Sequence, residues 1–176
     1  MRLDSPKFIF LESVDSTNNY LKQNYQSLKN NTFVRTNFQT EGYGQFDRVW
    51  EAEKEANILF SVLYKDLKLN DLNNLKEAII NALLSFLKTL KVAATFVEPN
   101  DIYVNNKKIL GILIETKIAN SNLEYVIIGV GINVNQTKFE TKLATSIKLE
   151  TNESHNINNL YQSLIKEIIE ELNYSL

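Results

Sequence analysis

Residues 101–134 read DIYVNNKKILGILIETKIANSNLEYVIIGVGINV, and this stretch decides the fold class. Its apolar and β-branched runs predict strands over Asp101–Val104, Lys108–Lys117 and Tyr125–Val134. Asn105-Asn106, between the first two runs, is typical of a hairpin turn. The third run is so apolar that we expect it to be a central, buried strand. Strands that follow one another without an intervening helix favour an α+β fold.

Two long segments outside this stretch have helical periodicity. Apolar residues recur at helical spacing over Asp71–Leu90 and over Asn158–Leu172, which predicts two amphipathic helices. A shorter helix is expected to begin at the capping residues Asp15–Asn18 and to run to about Leu28. Further strands are predicted over Lys7–Glu12, Thr32–Phe38, Asn57–Lys65 and Ala94–Val97. We therefore expect a mixed sheet with helices packed on one face.

The composition is that of one soluble domain over residues 1–176. Hydrophobic residues make up 44% of the chain, charged residues 23%, and the formal net charge is -2. The charge gives no global attraction to nucleic acid, and no apolar run approaches the ~20 residues of a membrane helix. The N-terminus does not have the pattern of a signal peptide. We expect a cytoplasmic protein that binds neither nucleic acid nor membranes.

The absence of cysteine excludes disulfides, thiolate metal sites and a cysteine nucleophile. The one histidine, His155, cannot build a multi-histidine zinc site by itself. It lies in a polar stretch before the last predicted helix, where an ordinary exposed histidine is the simplest interpretation. We therefore predict no protein-bound metal centre.

Four polar or glycine-bearing segments are candidates for a functional role. They are Glu12–Asn18 (ESVDSTN), Gln39–Trp50 (QTEGYGQFDRVW), Pro99–Glu115 (PNDIYVNNKKILGILIE) and Ile128–Val134 (IGVGINV). The second begins a 17-residue non-periodic connection, and connections of that length are often functional. Each segment also has a purely structural interpretation: a helix cap, a turn, a proline-led hairpin and a bulged strand, respectively.

Taken together and in this order, the four segments resemble the catalytic domain of the biotin–protein ligases. That family has a Ser-Thr-Asn segment after its first strand and then a Gln-x-x-Gly-Arg-Gly-Arg-x-x-Arg-x-Trp loop. Lys-Trp-Pro-Asn-Asp, Lys-[Ile/Leu]-x-Gly-Ile-Leu-[Ile/Val]-Glu and Gly-[Ile/Val]-Gly-[Ile/Leu]-Asn-[Val/Met] follow. The resemblance extends from about residue 8 to residue 135.

The resemblance implies both a fold and a reaction. The fold is the class II synthetase-like ligase domain, with a largely antiparallel sheet. The reaction joins biotin to ATP, accompanied by Mg²⁺, to form biotinyl-adenylate and pyrophosphate. A lysine of a biotin carboxyl carrier domain then attacks the acyl carbon. The resemblance also suggests a homodimer, and we expect neither the DNA-binding domain nor the small C-terminal β-domain that some members carry.

The resemblance also assigns roles to residues by position, with no metal ligand among them. The biotin-binding residues would be Ser16, Thr17, Gln39, Gly42, Tyr43, Gly44, Trp50, Gly111, Ile112 and Gly131. The nucleotide-binding residues would be Arg48, Trp50, Asn100 and Asn133. The catalytic residues would be Arg48, Asp101 and Lys108.

The chain departs from the family pattern mainly at its cations. The family lysine that precedes Trp-Pro-Asn-Asp falls on Val97, and two loop arginines fall on Tyr43 and Gln45. Candidate replacement cations are Arg35, Lys54, Lys107 and Lys108. Two other hypotheses therefore remain open: a domain that binds biotin or another acyl ligand without catalysis, and a related lipoate-type acyl ligase.

Overall fold

The computed structural model describes residues 4–65, 67–119 and 122–175, with the side chains of Asp47, Asn122 and Ser175 excepted. Its strands are β1 (Lys7–Leu11), β2 (Thr32–Thr36), β3 (Asn57–Tyr64), β4 (Thr95–Val97), β5 (Asp101–Val104), β6 (Lys107–Ala119) and β7 (Asn122–Asn133). Its α-helices are α1 (Thr17–Asn24), α2 (Asp71–Thr89), α3 (Ile147–Thr151) and α4 (Ile157–Ser175), and a short 3₁₀ turn covers Gln45–Asp47.

The described strands form one sheet in the order β1-β2-β3-β7-β6-β5-β4. Strand β1 runs parallel to β2, and all other neighbouring pairs are antiparallel. The predicted mixed, largely antiparallel α+β fold is thus confirmed. Strand β7 lies between β3 and β6 and is largely buried, as its apolar sequence predicted.

The two faces of the sheet have different neighbours because side chains alternate along each strand. Val126, Ile128, Val130 and Ile132 of β7 belong to the main core, with apolar residues of α2 and α4. The opposite face carries a smaller cluster in which Leu21 of α1 packs with residues of β2, β3 and β7.

The expected packing of helices on one face is therefore correct for α2 and α4 and wrong for α1. The short α1 lies in the connection between the parallel strands β1 and β2, and such a connection must pass over one face of the sheet. Periodicity does not reveal which face that is.

Two helices also differ from expectation. Helix α1 ends at Asn24, four residues before the predicted end at Leu28. The five-residue helix α3 was not predicted, since a single turn is too short to show a 3.6-residue period. Within the described ranges, no helix combines the length and the apolarity needed to cross a membrane.

Candidate functional site

A cleft lies on the α1 face of the sheet, with an enclosed volume of about 140 Å³. Thirteen of the predicted site residues line it: Ser16, Thr17, Gln39, Tyr43, Gly44, Arg48, Trp50, Asn100, Asp101, Lys108, Gly111, Ile112 and Gly131. Residues of all four candidate segments thus meet at one place. The segments are far apart in sequence, and the sheet brings them together.

One end of the cleft is polar and uncharged. The side-chain oxygen of Gln39 accepts a hydrogen bond from the Thr17 backbone N–H at 2.8 Å and lies 3.0 Å from the Thr17 hydroxyl. The neighbouring Ser16 hydroxyl caps α1 by accepting from the Asn19 N–H. Among the described residues the Gln39 amide nitrogen has no partner, so it remains available to donate to a ligand in the cleft.

A chain of hydrogen bonds supports this polar end from below. The Thr17 hydroxyl lies 2.6 Å from the Ser61 hydroxyl, which donates to Asn18 Oδ1 at 2.5 Å. Asn18 Nδ2 donates to Glu115 Oε2 at 2.7 Å, and the Tyr43 hydroxyl lies 3.0 Å from the same carboxylate oxygen. The chain leads back to the loop from which Gln39 comes, so it holds the loop against α1 and β6.

Sequence reasoning assigned no role to Asn18, Ser61 or Glu115. Asn18 and Glu115 do belong to the candidate segments, so the motifs could have indicated their place at the site. Ser61 had none, because a serine inside an apolar strand does not reveal the face on which it lies.

Tyr43, which stands where the family has a loop arginine, contacts a lysine of α1. Lys22 Nζ lies 2.7 Å from the Tyr43 hydroxyl and 3.1 Å from Glu115 Oε1. Burial disfavours the charge of Lys22, but the hydrogen bonds to Tyr43 and Glu115 outweigh it and raise its pKa above the ordinary value. Burial also raises the pKa of the Tyr43 phenol. Lys22 was not among the predicted replacement cations.

The other end of the cleft is cationic. Lys108 Nζ forms an ion pair with Asp101 Oδ1 at 2.7 Å and lies 5.3 Å from the centre of the Trp50 ring. Arg48 also lines the cleft. Val97, at the position of the family lysine, is 44% exposed and does not line the cleft.

Of the four predicted replacement cations, Lys108 is the one that lines the cleft. Lys54 and Lys107 are exposed and do not line it, and Arg35 lines a different groove. Lys108 is thus the one of the four candidates that the fold brings to the cleft, and its role as a replacement for the family lysine stays a prediction.

Two paired glycines form the floor between these ends. Gly111 of β6 and Gly131 of β7 are register partners, and the Trp50 indole lies directly on both. A Cβ on Gly131 would come within 2.5 Å of Trp50 Cε2, and one on Gly111 within 2.8 Å of Cζ3. Glycine is therefore required at both positions for the indole to lie there.

Trp50 narrows the cleft in this conformation. Ligand sites commonly have volumes of about 300–1,000 Å³, whereas this cleft encloses about 140 Å³. The indole nitrogen of Trp50 is buried and has no partner among the described residues. Movement of Trp50 from the glycine floor would enlarge the cleft and release this unpaired donor.

Three predicted residues do not meet the cleft as expected. Ile112 lines it, but its side chain belongs to the core on the opposite face, and its N–H donates to the Asn100 carbonyl at 2.8 Å. Gly42 lies outside the lining and accepts from the Trp50 N–H at 2.9 Å. Asn133 also lies outside it: Nδ2 donates to the Thr145 carbonyl, and the buried Oδ1 has no described partner.

The fold and the cleft are those of a known protein family. The model of the Biotin/lipoate A/B protein ligase family matches residues 10–133, a range that includes every residue lining the cleft. The chain belongs to this family.

Within the family, the chain is similar to biotin protein ligases. The structure of the Aquifex aeolicus biotin protein ligase in complex with biotin and ATP matches with a TM-score of 0.76 at 27% identity, covering 95% of this chain and 70% of that one. The bifunctional ligase/repressor BirA of Bacillus spizizenii is 35% identical over 107 residues, 60% of this chain and 33% of that protein.

BirA of Escherichia coli is 27% identical over 142 residues, 79% of this chain and 44% of that protein. The chain thus matches between a third and a half of the length of these curated relatives.

Proposed function

We propose that the chain activates biotin with ATP and transfers it, through biotinyl-adenylate, to a lysine of a biotin carboxyl carrier domain. The observation that carries the proposal is the order of chemistry along the cleft. A neutral polar end at Gln39 is followed by the glycine floor, which Trp50 covers in this conformation, and then by the Lys108 ammonium beside Gly111. Biotin has the same order: a neutral ureido ring, an apolar body and a carboxylate.

The polar end suits the ureido group because it offers uncharged donors and acceptors. The free amide nitrogen of Gln39 can donate to the ureido oxygen, and the hydroxyls of Ser16 and Thr17 can accept from its N–H groups. Burial of Ser16 and Thr17, each 3% exposed, strengthens such bonds because water competes poorly there.

Lys108 would act on the reacting carboxylate. When a carboxylate attacks the α-phosphate, negative charge collects on the phosphate oxygens, and a fixed cation stabilises that charge. At an effective dielectric of ~20, one charge pair at ~4 Å contributes about 4 kcal/mol. The ion pair with Asp101 holds the ammonium in place before the nucleotide binds.

The remaining lining residues suit a nucleotide. Arg48 offers a guanidinium to phosphate, and Asn100 lies beside Lys108 in the same cleft. The buried, unpartnered Trp50 Nε1 and Asn133 Oδ1 are a donor and an acceptor that an adenine edge could satisfy. Asn133 would have to become accessible, since it lies outside the present lining.

The described residues are better suited to a magnesium ion that arrives bound to ATP than to a metal ion held by the protein alone. No group of three or more His, Cys, Asp or Glu side chains among them could hold a metal ion. Asp101 is the acidic side chain of the described cleft lining. Mg²⁺ is often held by one or two carboxylates together with substrate phosphates. When bound, the ion neutralises phosphate charge, and Asp101 is the candidate residue to contact it.

Two assays test the proposal. Biotin-dependent exchange of labelled pyrophosphate into ATP measures the first step, and transfer of radiolabelled biotin to a carrier domain measures the second. Activity in both supports the proposal. Binding of biotin by calorimetry without exchange would instead support a binding domain without catalysis, and exchange with lipoate but not biotin would support a lipoate-type ligase. The homodimer, the cytoplasmic location and the lack of nucleic-acid binding remain predictions.

A further inference from the structure

A second groove lies on the opposite side of the sheet from the cleft, between strands β1 and β2 and helix α4. Its volume is about 690 Å³, within the range of small-molecule sites. Phe8, Ile165 and Ile169 provide apolar walls, and Arg35, Gln162 and Lys166 provide polar groups. The function proposed above makes no use of this groove.

Arg35 is an unusual side chain to find in a groove wall. It projects from β2, is only 8% exposed, and forms no ion pair or hydrogen bond with any described residue. Its Nε is buried without a partner. The guanidinium carbon lies 4.9 Å from the centre of the Tyr161 ring and 5.7 Å from that of Phe10. These rings orient the guanidinium, but they supply no anion.

The Arg35 guanidinium has no protein anion and its Nε is buried without an acceptor, so an incoming carboxylate would supply both. The planar guanidinium can bind both oxygens of a carboxylate at once. The other charged side chains of the groove, Lys166 and Glu170, pair with each other at 3.8 Å. Arg35 therefore remains the unbalanced charge among the described groove residues, which favours a ligand with a single negative charge.

We infer that this groove binds a small amphipathic monocarboxylate, with its carboxylate on Arg35 and its apolar body against Phe8, Ile165 and Ile169. Polyanions fit poorly, because Glu170 lies at the same groove and the surplus charge is a single positive one. The site is separate from the cleft, so the inference does not depend on the biotin proposal.

The first test compares a carboxylate with its uncharged analogue on the wild-type protein. We would titrate 3-phenylpropionate and 3-phenylpropanamide into ¹⁵N-labelled protein and follow the Arg35 side-chain Nε–H and the amides of Tyr161 and Gln162. The inference predicts saturable shifts at these groups and at least tenfold tighter binding of the carboxylate. Equal binding of the two compounds, or no saturable shift at Arg35, overturns it.

The second test uses three variants, each checked for folding by circular dichroism. Arg35→Met keeps the length of the side chain without its charge and should weaken carboxylate binding at least tenfold. Lys88→Met, on the exposed side of α2, removes one positive charge elsewhere and should leave binding unchanged. Lys108→Met removes the cation of the cleft and should also leave binding at the groove unchanged.

The outcomes separate the groove from its alternatives. Loss of binding in Lys108→Met but not in Arg35→Met means that the probe occupies the cleft, and the inference fails. If Arg35→Met does not fold, Arg35→Lys takes its place and should weaken binding by losing the two-oxygen contact. Sedimentation tests for a dimer. If the protein forms a dimer that buries Arg35 and persists when the carboxylate is added, the groove accepts a second copy, which also overturns the inference.

Discussion

The ammonium of Lys108 lies 2.7 Å from the carboxylate of Asp101, across the antiparallel pair β5–β6 at the edge of the cleft. The pair brings together the Pro-Asn-Asp turn and the beginning of the Gly-Ile-Leu strand. The two side chains are each about 30% exposed, so the ammonium is accessible to a ligand while its position is restrained. This relationship underlies the first prediction.

Lys108→Met should slow adenylate formation by at least about a hundredfold. A loss of ~2.7 kcal/mol of transition-state stabilisation is enough for that factor, and a charge pair of this kind is worth about 4 kcal/mol. Pyrophosphate exchange measures the effect. Lys107→Met is the matched control, because the adjacent lysine is exposed and does not line the cleft. Comparable losses in both variants would contradict a specific role for Lys108.

Val97→Lys should not increase the exchange rate substantially. Position 97 is 44% exposed and outside the cleft lining, whereas the lining includes Lys108. Pyrophosphate exchange at saturating biotin compares the variant with the wild type. A gain of tenfold or more would show that the family lysine at this position was the missing charge and that Lys108 does not replace it.

Biotin should change the fluorescence of Trp50, the only tryptophan of the chain. The indole lies on Gly111 and Gly131, and its nitrogen is buried with no partner among the described residues. A ligand that enters the cleft must therefore move the indole or cover it. We expect a saturable change in emission with the same midpoint as calorimetric binding. Calorimetric binding with unchanged emission would show that the ligand binds elsewhere.

Gly131→Ala should displace Trp50 and weaken biotin binding at least tenfold. The new methyl group would come within 2.5–2.8 Å of three indole atoms, closer than van der Waals contact allows. The emission of the ligand-free protein should therefore differ from that of the wild type. In Gly44→Ala the methyl group would lie 3.7 Å from its nearest neighbour, and emission should not change. The same emission in both variants would argue against the observed indole position.

In the Lys22→Met variant, the free energy of unfolding should decrease less steeply at alkaline pH than it does in the wild type. The folded protein holds the Lys22 proton more tightly than the unfolded chain does, since the pKa of Lys22 is raised by its bonds to Tyr43 and Glu115. This contribution is complete below the unfolded pKa of ~10.4 and is lost as pH rises through the folded pKa.

Urea unfolding at pH 8 and at a pH well above the unfolded pKa of ~10.4 measures this difference. The difference in the free energy of unfolding between wild type and Lys22→Met should be smaller at the higher pH. A gap that stays constant or widens would mean that the ammonium is not held by the Tyr43–Glu115 contact.

Much of the site could be predicted because its residues occur in ordered motifs. Thr17, Gln39, Asp101 and Lys108 were all placed at the site from three of the four short segments, and all line the cleft. The position of Asn133 was not predictable in the same way. A motif identifies a residue, but the neighbouring segment around Thr145 decides whether its side chain faces the cleft or is covered.

The sequence by itself determined the local elements: the strands of residues 101–134, the two long amphipathic helices and the order of the motifs. Those features depend on residues a few positions apart, which is the range over which hydrophobic periodicity acts. The tertiary structure alone decided that α1 covers the second face, that Lys22 meets Glu115 from 93 positions away, and that Trp50 lies on paired glycines. Such contacts depend on strand register and on which face each side chain occupies, and neither is encoded within one segment.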